Sequence, residues 1–336
     1  PVTFFNVNAI PATMINRVEV LRDGASALYG ADAIAGVVNF SLYDDYEGLY
    51  LSGKFGASTE HSLEEWTIGG RAGWKSDDGR TAISLGGSHY QRSPVQYTDI
   101  EDSWFGTLDR RELVPDPFTG NTQWDNRSTI GPYGRFTAGV LNPDGTFSGV
   151  RVRQGGANIT NTAGLFHMQP DGFAGGVPTT QGVELDDGAQ ERELRYDFIA
   201  DETAIPKTRR TSFAASFTHE FAENLEFFAE GLYYDSFVKT QRAAGPTDAS
   251  LALIIVPASS YWNPFGPVGS PNRLPGIDAP AEGLDIVIEG YRPLEMGPRI
   301  IEVDQSMWRI LGGLRGELRG WDWEYALGYS KATVAD

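Results

Sequence analysis

The chain has 336 residues, with 40 glycines, 12% aromatic residues, no cysteine and a formal net charge of −18 at pH 7. The absence of cysteine excludes a disulfide framework and a thiolate metal site, and the negative charge argues against a nucleic-acid surface, which needs excess lysine and arginine. High glycine with many aromatic residues is typical of an all-β protein with many turns. No apolar run reaches the roughly 18 residues of a transmembrane helix, whereas a β-barrel strand needs only about ten alternating residues.

The stretch Ile15–Phe40 predicts strand, turn, short helix and strand. A β-prone run ends at Asp23-Gly24, a turn dipeptide. The Asp23 carboxylate can cap a short helix over residues 25–29, and Gly30 is well placed to end it in the left-handed conformation. Extended structure then resumes before Phe40. Locally, this is a small unit of mixed α and β structure.

The same stretch carries an ordered motif. Its members are Arg17, Glu19, Arg22, Ser26, Tyr29, Gly30, Gly36 and Asn39. They lie in register with the form Arg-x-Glu-Val-x-Arg-Gly-x-x-Ser-x-x-Tyr-Gly followed by Gly-x-x-Asn. The stretch thereby resembles the end of the plug domain of TonB-dependent outer-membrane receptors. One departure is Asp23-Gly24, where many members have Gly-Pro.

From Leu49 onward the recurring signal is alternation of apolar and polar residues, which predicts half-exposed strands. In Glu64–Lys75, for example, Trp66, Ile68 and Trp74 share one face, while Arg71 lies on the other. About seven such strands are predicted, each long enough to cross a bilayer at a tilt. They are Leu49–Phe55, Glu64–Lys75, Ile83–Leu85, Phe213–Phe221, Leu225–Tyr233, Trp308–Leu318 and Trp321–Tyr329.

Two details favour a membrane barrel over a soluble sandwich. Trp66 and Trp74 lie near strand ends, about 26 Å apart along an extended chain, as in the aromatic girdles of barrels. The connections also alternate in length, since tight turns separate two long excursions near 93–207 and 240–300. We expect these excursions to be extracellular loops, and the first to contain its own hairpins because it is too long for plain loop.

Catalytic and metal-binding signatures are missing from the sequence. The histidines are scattered without metal-type spacing, and no nucleophile elbow or phosphate-binding loop occurs. The acidic clusters lie in glycine-rich turns, where solvated loops are the simpler interpretation. We therefore predict no enzyme activity, no metal and no cofactor.

The loop motif Tyr261-Trp262-Asn263-Pro264-Phe265-Gly266 has two interpretations. A rigid Asn-Pro turn can hold Tyr261, Trp262 and Phe265 as a stacking surface for a ligand. Alternatively, Trp262 and Phe265 pack the loop onto the barrel rim. The sequence leaves both open.

The charged residues of the motif also have two interpretations. Arg17, Glu19 and Arg22 can contact the barrel wall, where the lumen-facing candidates are Arg71, Arg309, Arg315, Glu226 and Glu230. Alternatively, they pair locally on one strand. Each such contact is worth about 1 kcal/mol or less, which suits a plug that must be rearranged reversibly.

The resemblance implies the C-terminal part of a small α+β plug domain at residues 1–44. Residues 45–336 would then be the N-terminal part of an all-β transmembrane β-barrel, one of about 22 antiparallel strands. It further implies uptake of a ferric siderophore, cobalamin or a carbohydrate across the outer membrane of a Gram-negative bacterium. The partners would be the TonB-ExbB-ExbD complex, outer-membrane lipid and a small-molecule ligand.

We expect the chain to be a fragment. The signal peptide, the TonB box and most of the plug would precede residue 1, and the rest of the barrel would follow residue 336. The alternatives are a passive porin, a barrel enzyme or a soluble β-rich binding module.

Overall fold

The computed structural model describes residues 6–22, 36–100, 102–173, 175–188, 191–248 and 253–336. Within these ranges the regular structure consists of β-strands and short 3-10 turns. No helix in them is long and apolar enough to cross a membrane. The predicted turn at Asp23-Gly24 and the predicted short helix, with Tyr29 and Gly30, lie outside the described residues.

The strands of the first part of the chain are β1 (Ile15–Leu21), β2 (Val37–Leu42), β3 (Gly48–Ala57), β4 (Glu64–Lys75), β5 (Thr81–Arg92), β6 (Val95–Gln96), β7 (Arg135–Leu141), β8 (Phe147–Gly149), β9 (Arg153–Gln154), β10 (Ala157–Asn158) and β11 (Leu165–Pro170). Those that follow are β12 (Val177–Pro178), β13 (Val183–Asp186), β14 (Thr203–Ile205), β15 (Lys207–Ala222), β16 (Leu225–Arg242), β17 (Thr247–Asp248), β18 (Ile255–Val256), β19 (Asp285–Tyr291), β20 (Arg299–Leu318) and β21 (Trp321–Ala335). The 3-10 turns are Val7–Ala9, Ala12–Met14, Tyr97–Ile100, Thr122–Trp124, Arg192–Leu194, Phe198–Asp201 and Leu294–Met296.

The chain folds into two compact units. The first contains residues 1–95, 203–240 and 300–336, and the second contains residues 96–202 and 241–299. The second unit therefore consists of the two long excursions.

A seven-stranded sheet, which we call the wall, dominates the first unit. Its strand order is β21-β20-β16-β15-β5-β4-β3. All seven strands predicted from alternation are present, and several extend beyond the predicted ends. The tight turn between β20 and β21 uses Arg319 and Gly320 at φ 54° and 81°, which matches the positive-φ pair that two-residue hairpins require.

Burial in the wall is inverted relative to a soluble sheet. Outward-facing apolar side chains are open, with Leu51 74% and Ile68 61% exposed. Inward-facing hydroxyls are covered, with Ser84 1% and Ser216 4% exposed. Alternation thus places apolar residues outside and polar residues inside.

The second unit has its own sheet and core. Its main path is β12-β13-β11-β7-β19-β17, with β18 on β19 and β8 on β7. Since β7 belongs to the first excursion and β19 to the second, the two excursions share one sheet. The core includes Phe166, Phe265 and Leu284.

Candidate functional site: contacts of the N-terminal segment with the wall

The hairpin of β1 and β2 carries the motif residues that the structure describes. The strands are antiparallel, with Glu19 opposite Asn39. Arg17 Nε lies 3.0 Å from Glu19 Oε1, and Asn39 Nδ2 donates to Glu19 Oε2 at 3.1 Å. These charges therefore pair within the hairpin, where both side chains are at least half exposed. Arg22 is exposed at the end of β1.

Gly36 has a structural reason for its place in the motif. Its φ is 131°, and a Cβ built there would lie 2.4 Å from the carbonyl oxygen of Leu21. Both the backbone conformation and the close approach exclude a side chain. The residue thereby allows the chain to enter β2 directly against β1.

The residues that precede β1 contact the wall. Thr13 Oγ1 donates to the carbonyl of Gly87 at 3.2 Å. Met14 is fully buried and packs with Ala214 and Leu232 of the wall and with Leu42 of β2. Apolar contact and hydrogen bonds thus hold the same short turn.

Two more hydrogen bonds join this segment to the wall. Asn6 Nδ2 donates to Gln305 Oε1 at 3.3 Å, and Arg210 Nη1 donates to Asn8 Oδ1 at 3.4 Å. Because Gln305 belongs to β20 and Arg210 to β15, the segment contacts strands along much of the wall.

Glycines in β4 and β5 form a notch for the turn. A Cβ at Gly69 would lie 2.9 Å from Thr13 Cγ2, and one at Gly86 would lie 2.5 Å from the sulfur of Met14. Larger residues at these positions would displace the turn. The notch accounts for glycine at these two positions of the strands.

The segment between β2 and β3 also lies against the wall. Tyr43 N donates to the carbonyl of Met14 at 2.9 Å, and Ser216 Oγ donates to the carbonyl of Tyr43 at 2.9 Å. Tyr46 N donates to Ser84 Oγ at 3.0 Å. The inward serines of the wall therefore bind backbone groups of this connecting segment.

Arg71 of β4 lies at the centre of these contacts. Its guanidinium carbon is 4.1, 4.4 and 4.7 Å from the ring centroids of Tyr43, Tyr46 and Tyr50. Its Nη1 donates to the carbonyl of Thr13 at 3.0 Å. Its Nε is buried without a hydrogen-bond partner, and the electron-rich ring faces offset that loss in part. We call this group the arginine–tyrosine cage.

The other predicted wall charges are placed differently. Arg315 and Glu226 form an ion pair within the wall. Glu230 and Arg309 line a cavity of about 260 Å³ together with Asn39 of the hairpin. The predicted ionic contacts of Arg17, Glu19 and Arg22 with the wall stay a prediction.

Residues 2–37 match the family model of the TonB-dependent Receptor Plug Domain. This segment is similar to a TonB-dependent receptor plug domain. The match begins before the motif and ends at the first residue of β2, so it includes β1 and the turns ahead of it.

Two solved receptors are similar to the chain in part. One is a variant of the ferric enterobactin receptor from Pseudomonas aeruginosa in complex with enterobactin. Its sequence is 13% identical, the match covers 98% of this chain and 37% of that chain, and the TM-score is 0.31. The other is the siderophore receptor PiuA from Acinetobacter baumannii, which is 11% identical, with 96% of this chain and 51% of that chain covered and a TM-score of 0.26. The chain spans 37% and 51% of the length of these two receptors.

The contacts with the wall that sequence reasoning missed are those of Thr13, Met14, Tyr43 and Tyr46. Arg71 was among the predicted wall partners, but it contacts a backbone carbonyl and ring faces rather than a charged side chain. A signal existed in the spacing of Tyr43, Tyr46 and Tyr50, three aromatic residues around a predicted plug–barrel junction.

The aromatic loop motif of the second unit divides into two parts. Phe265 is fully buried, while Tyr261 and Trp262 are 57% and 69% exposed. The buried Asn263 side chain organises the turn, because its amide donates to the carbonyl of Leu284 at 2.9 Å and its oxygen accepts from Phe265 N at 2.8 Å. Packing therefore explains Phe265, and the edge-to-face pair of Tyr261 and Trp262 remains open to solvent.

An ion cluster fixes another part of the second unit. Asp125 pairs with Arg127 at 3.0 Å and with Arg192 at 3.5 Å, while Asp109 pairs with Arg111 at 2.7 Å and with Arg127 at 3.3 Å. Burial alone would raise the pKa of Asp125, but hydrogen bonds from Arg127 outweigh it and hold the pKa below its ordinary value. A hydrogen bond from Arg111 likewise lowers the pKa of Asp109.

Metal-binding geometry is not found in the part of the chain that the structure describes, where no group of three His, Asp or Glu residues could hold an ion.

Proposed function

We propose that this protein takes up a scarce nutrient across the bacterial outer membrane in a TonB-dependent manner. The plug match over residues 2–37 supports the receptor class. The wall would be part of a β-barrel in the membrane, and the TonB-ExbB-ExbD complex would supply the energy. The cargo classes to be tested are a ferric siderophore, cobalamin and a carbohydrate.

The observation that carries the membrane part of the proposal is the inverted burial of the wall. In water, a sheet that exposes Leu51 and Ile68 while covering Ser84 would be unfavourable. In a bilayer the same arrangement is favourable, because lipid contacts the apolar face and the plug satisfies the polar one. A soluble β-rich module gives no reason for it.

Plug release is the mechanical step of the proposal. The plug segment is held by hydrogen bonds worth about 1 kcal/mol each, by Met14 and by the arginine–tyrosine cage. Pulling on the plug would break these contacts in sequence, and binding to the same polar wall would restore them. Many weak contacts suit a reversible movement better than one strong contact.

A disulfide lock tests plug release directly, since the chain has no native cysteine. A Cβ at Gly69 would lie 2.9 Å from Thr13 Cγ2, which suits a disulfide between the two positions. The double variant Thr13→Cys, Gly69→Cys is expected to bind cargo but not transport it until a reductant is added. The controls are the Thr13→Cys single variant and the double variant in its reduced form. Full transport by the oxidised double variant would contradict release of this segment.

Growth assays test the function itself. A strain lacking this protein is expected to lose growth on one of the three cargo classes, and removal of TonB should cause the same loss. Growth that does not depend on TonB, or a steady open pore in planar bilayers, would favour the passive porin instead.

The exposed pair Tyr261 and Trp262 supports a role in cargo capture for the second unit, which we place among the extracellular loops in this proposal. Aromatic rings on a rigid turn offer a stacking surface at low entropic cost. The proposal is for a transporter and assigns no catalytic residue.

A further inference from the structure

The second unit contains a cavity of about 440 Å³, which lies in the size range of small-molecule sites. Arg135 of β7 and His167 of β11 are opposite each other in the sheet, and both line it. The chain that follows β13 closes another side with Asp187 and Arg195. Residues of the sheet and of this loop thus line one cavity that is partly open to solvent.

The two arginines have unused binding capacity. Within the described residues, the Arg135 side chain forms no hydrogen bond or ion pair, and Arg195 forms one long hydrogen bond, from Nη1 to the carbonyl of Asp125 at 3.4 Å. Arg195 Nε is buried without a partner. The carboxylate of Asp125 is already taken by Arg127 and Arg192. Guanidinium groups with unpaired donors favour an oxyanion such as a carboxylate or a phosphate.

The remaining lining residues refine the ligand class. Burial lowers the pKa of His167, although Asp186 nearby opposes the shift, so the imidazole adds no charge at neutral pH. Leu165 and Phe166 provide an apolar surface, which strengthens charged hydrogen bonds by excluding water. Asp187 supplies a carboxylate that can accept a hydrogen bond from a hydroxyl group.

We propose that this cavity binds a small hydroxycarboxylate, whose carboxylates lie on Arg135 and Arg195 and whose hydroxyl donates to Asp187. The site stands on the second unit alone and does not depend on TonB-driven transport. A protein that binds such a molecule but fails the growth assays would refute the transport proposal and leave this one standing.

Calorimetric titration of the purified protein with malate tests the site. We expect one saturable site, and affinity lowered about tenfold or more by Arg135→Gln and by Arg195→Gln, because each removes a charged hydrogen-bond donor. Arg151→Gln is the matched control, since Arg151 is an exposed arginine of the same unit that does not line the cavity. Arg135 is exposed, so its variant should fold even if the Arg195 variant does not.

Two comparisons test the chemistry. Succinate lacks the hydroxyl and should bind more weakly than malate, and Asp187→Asn should reduce that difference. Three results would overturn the proposal: no saturable binding of malate, which means that solvent fills the cavity; equal affinity in the Arg135, Arg195 and Arg151 variants; or tighter binding of inorganic phosphate than of malate.

Discussion

Removal of the Arg71 guanidinium should weaken the contact between the wall and the segment that joins β2 to β3. Arg71→Gln abolishes the contacts to the rings of Tyr43 and Tyr46 at 4.1 and 4.4 Å and the charged hydrogen bond to Thr13 at 3.0 Å. Such a hydrogen bond is worth about 1.5–3 kcal/mol, and cation–π contacts are worth about 0.5–2 kcal/mol. One guanidinium makes all of these contacts, so they are not additive, and we expect a loss of about 3 kcal/mol.

Amide hydrogen exchange measures this loss where it occurs. The N–H groups of Tyr43 and Tyr46 donate to the carbonyl of Met14 and to Ser84 Oγ, so each is protected only while the segment is docked. A loss of about 3 kcal/mol predicts exchange about 100-fold faster at both amides.

Two variants serve as comparisons for Arg71→Gln. Arg71→Lys keeps the charge without the planar stacking group and should have an intermediate effect. Arg209→Gln removes an exposed arginine of β15 and should leave both amides protected. Unchanged exchange at Tyr43 and Tyr46 in Arg71→Gln would refute the conclusion that the cage holds the segment between β2 and β3 against the wall.

Three further changes have defined outcomes. A Cβ at Gly73 would overlap a backbone oxygen of the segment between β2 and β3, whereas a Cβ at Gly53 would meet no atom within 4 Å. Gly73→Ala should therefore lower the free energy of unfolding by about 1–3 kcal/mol, and Gly53→Ala should lower it by much less. The pKa of Asp125 lies below its ordinary value of 3.8, so the ionised carboxylate stabilises the second unit above that pH, and this stabilisation is lost as the pH falls through the lower folded value. Acid unfolding of the second unit should show this loss of stability. Asp125→Asn should abolish this pH dependence and should lower the free energy of unfolding at pH 7 by about 3 kcal/mol. Phe265→Ala should lower the stability of the second unit by about 3–5 kcal/mol in denaturant titrations. Trp262→Ala should leave stability unchanged and weaken cargo binding. The opposite pattern would contradict the assignment of Phe265 to packing and of Trp262 to the exposed surface.

The wall was predictable from sequence because its signal is local and repeated. Trp66, Ile68 and Trp74 share one face of β4 only if the chain is extended. The two-residue period of apolar residues therefore predicts the strand without knowledge of the strands that pair with it. The second unit lacks this signal, since β11 has no regular alternation of burial. Its sheet also joins β7 to β19, which are far apart in sequence, and no local pattern encodes that pairing.

The plug–wall contact was predictable only in part, for a related reason. The motif fixes the hairpin, because Gly36 and the Glu19–Asn39 contact are local properties of β1 and β2. The notch at Gly69 and Gly86 depends on where Thr13 and Met14 arrive in space. The sequence shows these glycines only as small residues in a strand. The structure shows that they make room for the turn that packs on them.

Among the described residues, the N-terminal segment makes no ion pair with the wall, and the distribution of its charges gives a physical reason. Arg17 and Glu19 form an ion pair on β1, so together they contribute little net electrostatic attraction to, or repulsion from, the wall. Arg71 is stabilised by ring faces and a carbonyl, none of which carries a formal charge. A charged partner in that position would gain strength as water left the lumen and would resist separation. If the segment is released during transport, as proposed above, neutral partners would limit the work that release requires while keeping the docked geometry specific.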